Sequence, residues 1–191
     1  EQDISRRMLT LTYLQMSQPA KALATLQPEL GQRLGNCRGR ADTFHIDSSK
    51  SILNWASQNM DASRLLNIHW VLEDALKFAE REARRGHQYN YILMDPPAFG
   101  RGPTGEFWKV EQDLAPLLRS CRELLSPQAQ FMILTVYTID ASSILCHNLL
   151  EECTSGLGGK IDIGELALKQ EGNGRLLPLS LWGRWQANPK G

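Results

Sequence analysis

Apolar positions along the chain switch repeatedly between two periods. In "DTFHID", Asp42 to Asp47, Phe44 and Ile46 share a face at a spacing of two, which predicts a strand. "SSKSILNWASQNM" then carries Ile52, Ala56 and Asn59 or Met60 at helical intervals, and Ser48 or Ser49 can cap a helix beginning near Lys50. The alternation recurs in "NIHWVLED", Asn67 to Asp74, a predicted strand, and in "DALKFAEREARRG", a predicted helix. Its Leu76, Ala79 and Ala83 would face a core, with Lys77, Glu80, Arg81, Arg84 and Arg85 in water and Gly86 as the stop. A third strand, "YNYILMD", spans Tyr89 to Asp95 and leads through a loop into "EQDLAPLLRSCRELLSP". There Leu114, Leu117, Leu118, Cys121, Leu124 and Leu125 make a broad apolar stripe, and Pro116 either sits near the helix start or bends it. "QFMILTVYT", Gln130 to Thr138, and the helical "ASSILCHNLLEECTSG" complete the series.

Strand and helix alternating at this spacing argue for a doubly wound, mostly parallel α/β sheet, because a parallel crossover is long and is usually helical. The near-continuous "YILM" and "FMILTV" runs suit central strands covered on both faces. The tail differs: "KIDIGELALKQEGNGRLLPLSLWGRW" has two strand-like runs around "EGNGR", a terminal antiparallel pair. Upstream, Asp3 to Leu34 reads as helical, interrupted near Pro19 and Pro28, with Leu9, Tyr13 and Met16 on one face. The expectation is one domain over 1–191 with a helical N-terminal segment over 1–40.

Composition narrows function by exclusion. The 21 basic residues balance 21 acidic ones in a chain of 191, so no global field attracts phosphate or an anionic membrane, and a nucleic acid would need a local patch. The four cysteines, Cys37, Cys121, Cys146 and Cys153, form no CxxC pair, and His45, His69, His87 and His147 are scattered, so no metal site is expected. No apolar run is long enough to cross a bilayer, no secretory leader is evident, and a cytoplasmic location is expected.

In open α/β sheets, ligands bind beyond the carboxyl ends of the strands where strand order reverses. Three predicted strands end in acids: Asp47, Asp74 and Asp95. Asp47 can accept two hydrogen bonds from a ribose diol or only cap the helix after it, and the pattern leaves both open. Asp74, beside the Ala75 amide, can receive a purine amine, although "DALK" makes an N-cap the simpler reading. In Asp95-Pro96-Pro97 the prolines stiffen the main chain and expose its carbonyls as acceptors, suited to an amine on a planar ring. Phe99 can stack on that ring, while Gly100, Gly102 and Gly105 permit close approach; a tight structural turn could use the same residues.

"FHIDSSKSILNWASQN", the stretch from "LEDALKFAEREARRGHQYNYILMDPPAFGRG" through "PTGEFWKVEQDLAPLLRSCRELLSP", and "LLPLSLWGRW" together resemble the class I S-adenosylmethionine (SAM)-dependent methyltransferases. They look closest to the bacterial large-subunit ribosomal RNA methyltransferase group, and the resemblance covers roughly the last three quarters of the chain. It implies a Rossmann-like sheet of seven strands with an antiparallel last strand. It implies that Asp47, with Ser48, holds the SAM ribose, that Asp74 and Ala75 contact its adenine, and that Asp95, Pro96, Pro97 and Phe99 line the methyl-transfer centre. The family also has a strand entering a glycine-rich loop before its counterpart of Asp47. Here Gly31, Gly35 and Gly39 are spaced by fours with no apolar strand before them, so the first strand and loop are either missing or disordered, or the site is rebuilt.

Transfer to nitrogen needs mainly alignment and acceptors, whereas transfer to cytosine C5 needs a cysteine adding to the ring. The segment "ILTVYT" and the loop it enters hold Thr135, Tyr137 and Thr138 and no cysteine, which favours an amine acceptor. For an RNA base, extruded to reach the pocket, Phe99 would be the stacking platform, with Arg101, Lys109, Arg38 and Arg40 near the backbone. The alternatives are a small-molecule or protein acceptor, or a noncatalytic binding module that has lost its glycine loop.

Overall fold

A computed structural model describes residues 6–12, 41–62, 68–102, 105–137 and 139–188. The strands of the main sheet are β1 (Arg6–Thr12), β2 (Ala41–Asp47), β3 (Ile68–Leu72), β4 (Tyr91–Asp95), β7 (Phe131–Val136), β8 (Lys160–Lys169) and β9 (Leu176–Gln186). A two-stranded ribbon, β5 (Phe99–Arg101) with β6 (Phe107–Lys109), stands apart from it. The helices are α1 (Lys50–Ala62), α2 (Ala75–Arg84), α3 (Val110–Leu124) and α4 (Ile144–Cys153).

The sheet order is β3-β2-β1-β4-β7-β9-β8, with β1 to β4 and β7 parallel and β9 antiparallel to both β7 and β8. The expected doubly wound sheet with an antiparallel C-terminal pair is therefore present. From β1 the chain builds toward β3 and then crosses back to β4, so strand order reverses between β1 and β4. Because crossovers keep one hand, this reversal puts α1 and α2 on opposite faces. On one face α2 packs on α3, and α3 on α4, which lies against β9.

The first strand corrects the sequence reading. Arg6–Thr12 is an interior strand of the sheet, whereas Leu9 was expected on a helix face and the first strand to be missing, disordered or rebuilt. "RRMLTLT" is too short for its period to decide, and pairing with strands on both sides, β2 and β4, overrides a local helical preference. The rest of the expected N-terminal helix and Gly31, Gly35 and Gly39 lie outside the described residues.

Period also located the core well. All six stripe residues of α3, Leu114 to Leu125, are buried, with Pro116 inside the helix. Both "YILM" and "FMILTV" are buried throughout. In α2 the buried face is Ala75, Phe78, Ala79 and Glu82, one position round from the expected Leu76, Ala79 and Ala83, and in α1 it is Leu53 and Ala56. Gly183 on β9 lets α4 lie flush on the sheet, since a Cβ there would meet Leu150 Cδ1 at 2.8 Å and Cys146 Cβ at 2.9 Å. No helix among the described residues is long and apolar enough to cross a membrane.

Candidate functional site

The register brings two of the three strand-end acids together. Thr12 pairs with Asp95, and Leu11 with Ile46, so Asp47 and Asp95 stand level on either side of the end of β1. Two strand spacings separate them, roughly 10 Å. This is the carboxyl edge of the sheet at the reversal of strand order, where such folds bind ligands.

Asp47 is 2% exposed, and its Oδ1 accepts a 2.6 Å hydrogen bond from the Ser49 amide. Ser49 Oγ in turn accepts from the Ile52 amide at 3.4 Å, so Ser49 caps α1 and Asp47 braces that cap. Its backbone carbonyl accepts from the Glu73 amide, which ties the ends of β2 and β3. Ser48 lies in the bend between Asp47 and the cap. Asp74, 7% exposed, lies two residues beyond β3 and is the N-cap of α2, its Oδ1 accepting from the Lys77 amide at 3.0 Å. The simpler reading of Asp74 thus describes its geometry, and Ala75 begins the helix it caps, fully buried.

Asp95 ends β4 in different surroundings. Burial raises its pKa above the ordinary aspartate value, and the Thr135 hydroxyl, donating to Oδ1, only partly opposes this. Thr135 comes from β7, and two residues on, along the same face, stands Tyr137. Burial pushes the Tyr137 phenol up to about 12, helped by the negative charges of Asp95 and then Asp47. The Tyr137 hydroxyl is buried and finds no hydrogen-bond partner among the described residues. A protonated donor beside two acids is what this edge offers a polar ligand.

Pro96 and Pro97 are buried, and the carbonyl of Pro97 accepts 2.7 Å from Trp108 Nε1. The carbonyl of Ala98 accepts from the Val110 amide at 2.9 Å. The expected row of acceptors is therefore partly engaged in fixing the β5–β6 ribbon, leaving the Asp95 side chain as its chemically distinctive member. Phe99 opens the ribbon and is 59% exposed, with Arg101 and Lys109 on the same face. Arg38 and Arg40 lie outside the described residues.

Thr135 and Tyr137 entered the sequence reading only as residues that are not cysteine. A polar threonine inside the apolar run "FMILTV", two residues before a tyrosine, was the available signal. Cys121 is buried in α3, and Cys146 and Cys153 are buried in α4. Burial pushes the Cys121 thiol well up and those of Cys146 and Cys153 to about 11. Asp47, a buried strand-end acid, has the chemistry to accept from ribose hydroxyls, and Asp74 and Ala75 begin the helix that follows the neighbouring strand.

Comparison with known proteins agrees with this fold. No family model matches the chain. A solved SAM-dependent methyltransferase from Agrobacterium tumefaciens is 37% identical, with a TM-score of 0.79 covering 97% of this chain and 57% of that one. A second solved structure, in complex with SAH, the demethylated product of SAM, is 18% identical with a TM-score of 0.63, covering 95% and 45% of the two chains. Among curated proteins, the ribosomal RNA large subunit methyltransferase K/L of Pseudoalteromonas atlantica is 28% identical over 129 residues. Its namesake in Methylococcus capsulatus is 31% identical over 101 residues. These matches take in 66% and 51% of this chain but only 17% and 14% of the relatives, less than a fifth of their length. The chain is thus a homologue of SAM-dependent methyltransferases, with the seven-stranded sheet of that fold.

Proposed function

We propose that this chain is a cytoplasmic SAM-dependent methyltransferase domain that methylates a base of RNA, at an amine nitrogen rather than at cytosine C5. The observation that carries the reading is the convergence of Asp47 and Asp95 on the sheet edge where strand order reverses, with Tyr137 near enough to feel both charges. SAM, when bound, supplies an electrophilic methyl group on a sulfonium. Asp47 would hold the ribose hydroxyls, with Ser48 beside it, and Asp74 and Ala75 the adenine. Asp95, with the main chain of Pro96 and Pro97, would orient the acceptor amine by accepting its N–H, so that the nitrogen lone pair points at the methyl carbon. Phe99, Arg101 and Lys109 would meet the substrate.

An amine acceptor is favoured by the cysteines, since burial raises the pKa of all three described thiols, against the thiolate that attack on cytosine C6 would require. An RNA acceptor is supported by the names of the curated relatives. Calorimetry with SAH on the full-length protein tests the first step: saturable binding that is lost in Asp47→Ala is expected, and a folded protein that binds no SAH would be a noncatalytic module. Methyl transfer from labelled SAM to ribosomal RNA, free nucleosides and protein, followed by nucleoside analysis, tests the second. Label on N-methylated nucleosides is expected, and label on protein, on small molecules or at cytosine C5 refutes the substrate.

A further inference from the structure

Beyond Pro97 the chain forms a ribbon that alignment of a methyl donor does not need. Its register pairs Phe99 with Lys109, Gly100 with Trp108 and Arg101 with Phe107. Directly paired residues share a face, so Phe99, Arg101, Phe107 and Lys109 lie on one side and Gly100 and Trp108 on the other. The inner side is fixed: Trp108 is buried and donates to the Pro97 carbonyl, and Lys77 of α2 pairs with Glu106 at the ribbon's turn. The outer side holds two large rings, Phe99 and Phe107, 59% and 56% exposed. Arg101 and Lys109 hold their charges 6.0 Å and 5.5 Å from the centre of the Phe107 ring. Neither cation forms an ion pair among the described residues; of the acids beside them, Glu106 is joined to Lys77, and Asp113 accepts from the Lys109 backbone amide.

Exposed rings interleaved with available cations on a rigid support match the demands of an unpaired nucleic-acid strand, whose bases stack and whose phosphates need positive charge. A duplex hides its base faces, and an acidic peptide would use the cations but leave the rings in water. Phe99 is four residues from Asp95, at most about 14 Å along an extended chain, so nucleotides flanking a target at Asp95 come within reach. We propose that the outer face of the β5–β6 ribbon binds the single-stranded RNA that flanks the methylated base. That the strand is RNA rests on the proposed function; the preference for a single strand rests on the ribbon.

Fluorescence anisotropy with a labelled single-stranded RNA, the same sequence as a duplex, and a polyglutamate peptide tests this on the full-length protein. Phe107→Ala should weaken single-strand binding roughly ten-fold, and Phe107→Tyr should restore it, while SAH affinity measured on the same samples stays unchanged and reports an intact fold. Replacing Arg101 and Lys109 with Ala should lower the salt slope of log affinity by about 0.7 for each phosphate that is no longer neutralised. Undiminished RNA affinity in Phe107→Ala, tighter binding of duplex, or binding of the peptide alone overturns the proposal. Failure of the native protein to bind RNA while it still binds SAH strikes the ribbon and spares methyl transfer, and the reverse result strikes methyl transfer and spares the ribbon.

Discussion

Glu82 and Asp95 are two carboxylates drawn into the same molecule with opposite outcomes. Burial alone would raise the pKa of each. Around Glu82 that effect is outweighed by hydrogen bonds from His87 and Tyr89 and by the charges of His87 and Arg81, so its pKa is lowered. Around Asp95 the Thr135 hydroxyl is the one opposing influence among the described residues, burial wins, and the pKa is raised. Glu82 knots the end of α2 to the chain entering β4; Asp95 stands at a strand end with bonding capacity to spare. A buried acid supplied with donors braces the fold, and an undersupplied one at the carboxyl edge of a parallel sheet is a candidate for chemistry.

Asp95→Asn should separate the two roles most sharply. We expect methyl transfer to fall about 100-fold or more, and the thermal midpoint at neutral pH to rise. A folded-state pKa raised by burial means the native protein holds this proton more tightly than the unfolded chain. The destabilisation is absent below the unfolded value of 3.8 and complete above the folded one, so the gain from Asn should vanish in acid. A variant that loses both activity and stability would place Asp95 with Glu82.

For Glu82→Ala the expectation reverses: a loss of about 2 kcal/mol in chemical denaturation, discounted because its basic partners are partly exposed, with SAH affinity unchanged. Because the Glu82 pKa is lowered, its stabilisation is present above the ordinary value of 4.5 and lost as pH falls through the folded value. That acid limb should be missing from the variant.

His45 sharpens the comparison from the basic side. Burial lowers its pKa to about 4, its ring meets the edge of Trp70, and its Nε2 has no partner among the described residues. The unfolded chain therefore takes up this proton first, and stability should decline as pH falls from 6.5 toward about 4. His45→Phe, which keeps a ring against Trp70, should flatten that decline in thermal melts. The smallest effect on stability is expected for Tyr137→Phe, within about 0.5 kcal/mol, since its hydroxyl has no described partner; a fall in methyl transfer without a fall in melting temperature would mark that hydroxyl as part of the site.

Much of this is legible in the sequence. The helices and the strands of the main sheet from Ala41 onward are legible because their apolar residues repeat at intervals that only one backbone geometry can place on a common face. The acids Asp47 and Asp95 were legible because each ends such a run. Three features were not. β1 has seven residues and takes its identity from neighbours on both sides. The ribbon's strands have three residues each, below the length at which alternation is visible. Glu82 looked like one more surface charge until Tyr89 and His87 closed over it.

By itself, then, the order of residues determined which segments are helices, which are covered strands, and where those strands end in acids, because these depend on contacts a few residues apart. Tertiary structure alone decided that Arg6–Thr12 lies between β2 and β4, that Thr135 reaches Asp95 across forty positions, and which buried acid is braced. Strand pairing and dielectric surroundings are set by residues distant in the chain, and proximity of that kind exists only once the sheet has closed over its core.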